Sequence, residues 1–207
     1  MIEKKFIEDA KIKAMLADFI KQELKRAGVS KVEIQRTPLI TRIVVYVRRP
    51  GMVIGKKGRS IRELTECIAK EFKVENPRID VKQVEVPELD PVLMAERIAR
   101  MLERGAKPRR AAYSTLHAIM SAGAIGAEIR IKGKLAGKGA RAKKLRVEAG
   151  YMPKAGQPSH ELVREAFTVA LPKPGIIGIW VRIVPPGVIL PDKINVEEIA
   201  KQEAVGG

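Results

Sequence analysis

A single cysteine, Cys67, stands in the 207 residues, so no internal disulfide can form. With only two histidines, His117 and His160, both isolated, an ordinary structural zinc site cannot be assembled. The economy points to a reducing compartment and to no metal or cofactor. Cys67 falls beside Leu64 and Ile68, where a small buried thiol is expected rather than a nucleophile. Aromatics are scarce, with one Trp, three Tyr and four Phe, which disfavours modules that stack bases on rows of rings. No apolar run reaches membrane-spanning length, and the opening "MIEKKFIEDAKIKAMLADFI" interleaves charge with apolar residues, unlike the apolar centre of a signal peptide. Secretion and membrane insertion are therefore not expected. Acid is also in deficit: 24 Asp and Glu face 40 Lys and Arg, for a net charge of +16. Divided at Val86, each side carries 20 basic and 12 acidic residues, so each half is +8. The expected partner is a polyanion, touched by both halves.

What is present is a globular pattern, with 45% hydrophobic residues, enough for a core. Ile12, Met15, Leu16, Phe19, Ile20 and Leu24 recur at helical spacing before Gly28. "KVEIQR" and "TRIVVYVRR" alternate as two strands of a hairpin, with Ile43, Val45 and Val47 on one face. A second long helix shows Ile61, Leu64, Ile68 and Phe72 on one side, and "RIDVKQVEV" reads as a third strand with a slip at Lys82 and Gln83 that predicts a bulge. "VPELDP", residues 86–91, marks a domain boundary, with Asp90 as N-cap and Pro91 as first helical residue. Helices over 91–104 and 108–122 follow, then half-buried strands in "AEIRIKGKL" and "KLRVEAGY". "SHELVREAFTVAL" fits both periods and is read as a helix capped by Ser159. "IIGIWVRIV" is a buried strand whose Trp180 is expected to pack against a helix or a neighbouring subunit, and residues 186–207 form a surface tail with at most a short helix capped by Asn195.

"VIGKKGRSI", residues 53–61, sets two glycines around two lysines at the start of a helix. Bare backbone at Gly55 and Gly58 lets a ligand approach, while the helix start and Lys56, Lys57, Arg59 and Arg62 supply positive charge, so a phosphate is the natural guest. A nucleotide-binding Walker loop is excluded, because the spacing from Gly51 is one residue short and Lys57 stands where Ser or Thr would hold magnesium. Helix, strand, strand, this loop with its helix, then strand, resembles the type II KH fold, in which such a loop clamps a nucleic-acid backbone beside an apolar groove, here of Val53, Ile54 and Ile61. The resemblance then extends over nearly the whole chain. Through "GMVIGKKGRSIREL", "KPRRAAYSTLHAIMSAGAIGAEIRIKGKLAG", "KLRVEAGY" and "GIIGIWVRI", it resembles the small-subunit ribosomal protein S-three family. The longer segment between Tyr151 and Gly175 resembles the archaeal and eukaryotic branch.

The fold class so implied is α/β (α+β): a type II KH domain at 1–86, then an α/β domain at 91–185 with two helices packed on a mixed sheet. The resemblance implies a structural, non-enzymatic constituent of the small-subunit head, cytoplasmic and ribosome-bound. Its partners would be ribosomal RNA, mRNA and neighbouring ribosomal proteins S-ten and S-fourteen. It also implies that Arg109 and Arg110, a double arginine after Arg104 and Lys107, face mRNA where it enters; bacterial relatives place a further basic residue where this chain has Tyr113. "KGKLAGKGARAKKLR" contains seven basic residues (Lys132, Lys134, Lys138, Arg141, Lys143, Lys144 and Arg146) and no acidic one, a loop suited to ribosomal-RNA phosphates because charge this dense repels itself unless neutralised. Two rivals predict different behaviour. A free-standing KH regulator would recover most affinity from the first half alone, and a lyase using a lysine amine would be trapped on abasic DNA by borohydride.

Overall fold

The computed structural model describes residues 2–37, 40–72, 76–135 and 141–188. Contacts divide the chain into two compact units, Met1–Arg97 and Ile98–Gly207. In the first, α1 (Ile2–Glu23) leads to β1 (Val29–Arg36) and β2 (Thr41–Val47), followed by a short α2 (Pro50–Ile54), a 3-10 turn (Lys56–Gly58), α3 (Arg59–Phe72) and β3 (Pro77–Gln83). The sheet order is β1-β2-β3, antiparallel then parallel, so β3 is an open edge. Leu16 and Ile20 of α1, the Ile43, Val45 and Val47 face of β2, and Val53, Leu64 and Ile68 close the core. Phe19 meets Phe72 edge to face at 5.6 Å between ring centroids, a favoured aromatic geometry.

Several expectations change here. Met15 lies on the solvent side of α1, 65% exposed, because Leu16 and Ile20 already fill the stripe that meets the sheet. No bulge occurs at Lys82 and Gln83, since β3 stays in register with β2 to its end; the irregularity lies instead between Val29 and Lys31. Cys67 is exposed rather than buried, one position off the Leu64 and Ile68 face of α3.

The next helix, α4 (Pro91–Glu103), starts as expected: Asp90 Oδ1 accepts the Val92 N–H at 2.9 Å, filling an orphan donor of the first turn. The second unit then continues with α5 (Pro108–Ser121), β4 (Gly126–Gly133), β5 (Lys143–Gly150), a five-residue α6 (Gln157–Glu161), β6 (Arg164–Ala170) and β7 (Ile177–Val184). Its sheet order is β5-β4-β7-β6, and every pairing is antiparallel, so the sheet is not mixed. The expected helix over "SHELVREAFTVAL" breaks after one turn, and residues 164–170 form a strand. Both periods fit its apolar residues, but β7 offers a free ladder edge, and the β-branched and aromatic residues Phe167, Thr168 and Val169 favour a pleated surface. Ser159 caps no helix; its hydroxyl accepts from Arg182 at 2.7 Å.

One face of this sheet, with Ala127, Ile129, Ile131, Val147, Ile179, Val181 and Ile183, is buried, and α5 lies against β4 and β5. The opposite face carries polar and aromatic rows that run across all four strands. Residues 189–207, where most of the expected tail and its Asn195-capped helix fall, lie outside the described residues.

Candidate nucleic-acid interface

The glycine loop requires its first glycine. Gly55 has φ +70 and ψ −175, a conformation essentially reserved for glycine, and a Cβ there would stand 2.3 Å from the Ser60 hydroxyl oxygen. Lys57 is itself left-handed (φ 54) and Gly58 has φ 73, so the chain reverses sharply and projects Lys56 and Lys57 into solvent immediately before α3. Gly58 is sterically looser, with nothing nearer to an added Cβ than Ile61 at 3.9 Å. Arg59 is exposed and pairs with Glu63 one turn on at 3.3 Å, a solvent-screened contact that a phosphate can displace at little cost.

Beside this loop, α3 and the open β3 strand bound a cleft of about 440 Å³ whose apolar parts are Ile61 and Ile79. Arg62 and Arg78 line it as well, together with Glu66 and Asp80. Ile61 lines the groove as expected and Ile54 is 43% exposed, but Val53 is buried in the core and does not line it, because α2 turns that side of its single turn inward.

In the second unit the predicted residues separate into two groups. Lys107 and Arg109, at the start of α5, share a groove of about 410 Å³ with Lys143 and Lys144 of β5. Pro108, Leu135 and Leu145 provide its apolar surface. Arg110, one position along α5, is exposed but does not line this groove. Lys132, Lys134 and Arg141 are exposed, while Lys138 lies outside the described residues.

Arg146 belongs to the other group. On the outward face of the sheet, register places Glu148, Glu128, Arg182 and Glu165 in one row, and Arg146, Arg130, Trp180 and Phe167 in the next. Glu128 is fully buried there. Arg130 grips it with both arms, Nε at 2.6 Å and an Nη at 3.0 Å, the two-pronged geometry that guanidinium and carboxylate share. Arg146 donates to Glu128 and, at 2.8 Å, to Glu148, and Arg182 approaches Glu128 at 3.5 Å. Burial alone would raise the Glu128 carboxyl; the hydrogen bond and charge of Arg130, joined by Arg146, outweigh it and hold the group below the ordinary glutamate range. Trp180 packs under guanidinium groups, with Arg130 4.6 Å and Arg182 5.6 Å from its ring centre. Sequence reading placed Glu128 on a polar face and missed this cluster. The one signal was a lone acid in the otherwise cationic outward positions of "AEIRIKGKL".

Among the described residues no group of three or more His, Cys, Asp or Glu is placed to hold a metal, and no helix is long and apolar enough to cross a membrane.

The comparisons with known proteins match both units. The family model described as "KH domain" covers residues 15–90, and "Ribosomal protein S3, C-terminal domain" covers 98–183. The chain is 46% identical over 193 residues to the small ribosomal subunit protein uS3 of Methanothermobacter thermautotrophicus, spanning 93% of this chain and 74% of that one. It is 44% identical over 205 residues to the protein of the same name from Methanocaldococcus jannaschii, spanning 99% and 98%. The chain belongs to the ribosomal protein S3 family. The branch is the archaeal one, as the length between Tyr151 and Gly175 led us to expect. Membership makes the protein a structural, non-enzymatic component of the small ribosomal subunit with an RNA-binding KH domain.

Proposed function

We propose that this chain is a structural constituent of the small-subunit head, bound to ribosomal RNA and helping to form the channel through which mRNA enters. Residues 1–86 act as the KH module, residues 91–185 as the second RNA-binding domain, and the site is cytoplasmic and ribosome-bound. The observation that carries the reading is the Gly55 loop: backbone that admits no side chain, two solvent-facing lysines and an apolar cleft along α3 suit a sugar-phosphate backbone with bases turned inward. Gly55, Lys56, Lys57, Gly58, Arg59 and Arg62 form that contact. Arg109 and Arg110 meet mRNA, while Lys132, Lys134, Lys138, Arg141, Lys143 and Lys144 meet RNA phosphates. Arg146 contributes mainly by shaping the sheet, since its guanidinium already has two carboxylates. Ribosomal proteins S-ten and S-fourteen are the proposed neighbours.

Co-sedimentation of the tagged chain through a sucrose gradient of cell lysate, after a high-salt wash, tests this. The chain should remain stoichiometric with the small subunit. A chain that washes off or runs light, with the first half alone keeping most RNA affinity, would be a free-standing KH regulator instead. Neutralising Lys138, Arg141, Lys143 and Lys144 together should flatten the salt dependence of RNA binding, because each phosphate contact releases counterions. An unchanged slope would refute that assignment.

A further inference from the structure

The outward face of the second sheet is finished at one end and bare at the other. At the Glu128 end the chain covers itself: Ser159 of the short α6 holds Arg182, and Met152, Val163 and Val184 pack together. At the other end Phe167, Leu171 and Ile176 are 69%, 67% and 66% exposed and Val169 is 40% exposed. These four are neighbours. Val169 is opposite Gly178 in the register of β6 and β7, and Leu171 and Ile176 directly follow the last pair, Ala170 and Ile177. A Cβ on Gly178 would stand 3.3 Å from the Phe167 ring, so the ring lies across bare backbone and turns its other side to solvent. The Leu171 N–H is taken by Glu103 at 3.3 Å, so this end of β6 does not offer that donor to a further strand, and an occupant lies on the face instead. Cations border the patch on one side: Lys132 and Lys144 share the row of Gly178 and Val169, and the Lys134 side chain runs beside Gly175. Neither that row nor the row of Trp180 and Phe167 contains an acid. The occupant is therefore apolar and acidic, and mainly aliphatic in what it meets.

The chain carries such a segment. Residues 189–207 hold four acids (Asp192, Glu197, Glu198 and Glu203) against two lysines, in a protein of net charge +16, with Ile194, Val196 and Ile199 set among them. The Gly178 row lies six residues, about 20 Å, back along β7 from Val184. About six extended residues after Val188 cover that distance, which brings the chain from Ile194 onward to the patch. A tethered segment also meets its site at an effective concentration of about millimolar, which a separate molecule seldom reaches. We infer that in the free chain residues 192–203 fold back over Phe167, Val169, Leu171 and Ile176, with their acids towards Lys132 and Lys134. The segment shields an apolar patch that would otherwise invite association.

The experiment places a photo-crosslinking residue at Val169 in the purified full chain, free of RNA. Crosslinks should map to residues 192–203 within single chains, and Ile199→Asp, or Glu197→Lys with Glu198→Lys, should lower their yield several-fold without touching the folded sheet. Absence of those crosslinks, or a yield that the substitutions leave unchanged, overturns the fold-back. Crosslinked pairs of chains whose yield rises with protein concentration overturn it too, and assign the patch to a second copy. A second arm uses the one tryptophan, which adjoins the patch. Ile199→Asp should steepen the quenching of Trp180 by acrylamide, and an unchanged slope means that the segment does not cover this face. Neither arm depends on co-sedimentation with the small subunit, which tests the ribosomal reading separately.

Discussion

Arg146 and Lys144 stand two residues apart on β5, so their side chains leave the same face of the sheet, yet they have opposite fates. The row of Arg146 adjoins that of Glu128 and Glu148, and its guanidinium is held by both. The row of Lys144 continues to Lys132 on β4 and Gly178 on β7, with no acid in it, and Lys144 is exposed to solvent. One cation builds the protein and the other is left for a ligand. Net charge therefore says that a polyanion is the partner, but pairing decides which cations meet it. A run of seven basic residues in the sequence is not seven phosphate contacts.

The largest expected effect comes from removing the acid that separates the two groups. Glu128→Ala takes from Arg130, Arg146 and Arg182 the buried carboxylate they share, leaving Arg146 and Arg182 only their outer partners Glu148 and Glu165, and breaking a buried pair in this way costs about 3–5 kcal/mol. Chemical denaturation should show that loss in the full chain. The surviving folded protein should bind RNA with a steeper salt dependence, because arginines formerly held inside are released to the surface. A loss below about 1 kcal/mol, the range of an exposed pair, would mean that the cluster is no more than a solvated contact.

Exchanging the targets within β5 sharpens the contrast. Lys144→Ala should reduce the salt slope of single-strand binding by about 0.7, the value of one phosphate contact, and leave the denaturation midpoint where it was. Arg146→Ala should do the reverse, costing about 1 kcal/mol once the screening of its part-exposed guanidinium is counted, with little change in slope. Equal slope changes for the two variants would erase the distinction between structural and ligand-facing cations.

Much of the first unit was legible because each of its elements obeys a local rule. The β2 alternation, the Gly55 turn and the Ile61 to Phe72 face of α3 all carry their own periodicity or backbone requirement, and the Asp90 cap likewise announces α4. The second unit hid what depends on pairing between distant segments. Residues 164–170 suit a helix by spacing and become a strand only because β7 presents an edge. Glu128 is on the polar side of an alternating strand, and only the register against β5 and β7 brings three arginines over it. The α5 groove is of the same kind: Lys107 and Arg109 are separated in sequence from Lys143 and Lys144 by a helix and a strand, and no local pattern joins them. Cys67 and Val53 show the smaller error, one of helical phase, where a shift of one position exchanges core for solvent.

The smallest expected effect is a dependence on pH that the two groups of cations do not share. In the folded chain the Glu128 carboxyl titrates below its ordinary range, so the ionised form is favoured by folding. Its contribution is fully present above the ordinary glutamate range, where the unfolded chain is ionised too, and is lost as pH falls through the depressed folded value. Denaturation midpoints of the full chain should therefore hold near neutrality and drop on acidification below that range, and Glu128→Gln should remove this part of the drop. The cations of the α5 groove have no such carboxylate partner among the described residues, so variants there should leave the acid limb of the curve parallel to that of the unsubstituted chain. If Glu128→Gln leaves the acid limb parallel as well, the stability of the sheet does not depend on the ionised state of that carboxyl, and the arginines above it are held by packing on Trp180 rather than by charge.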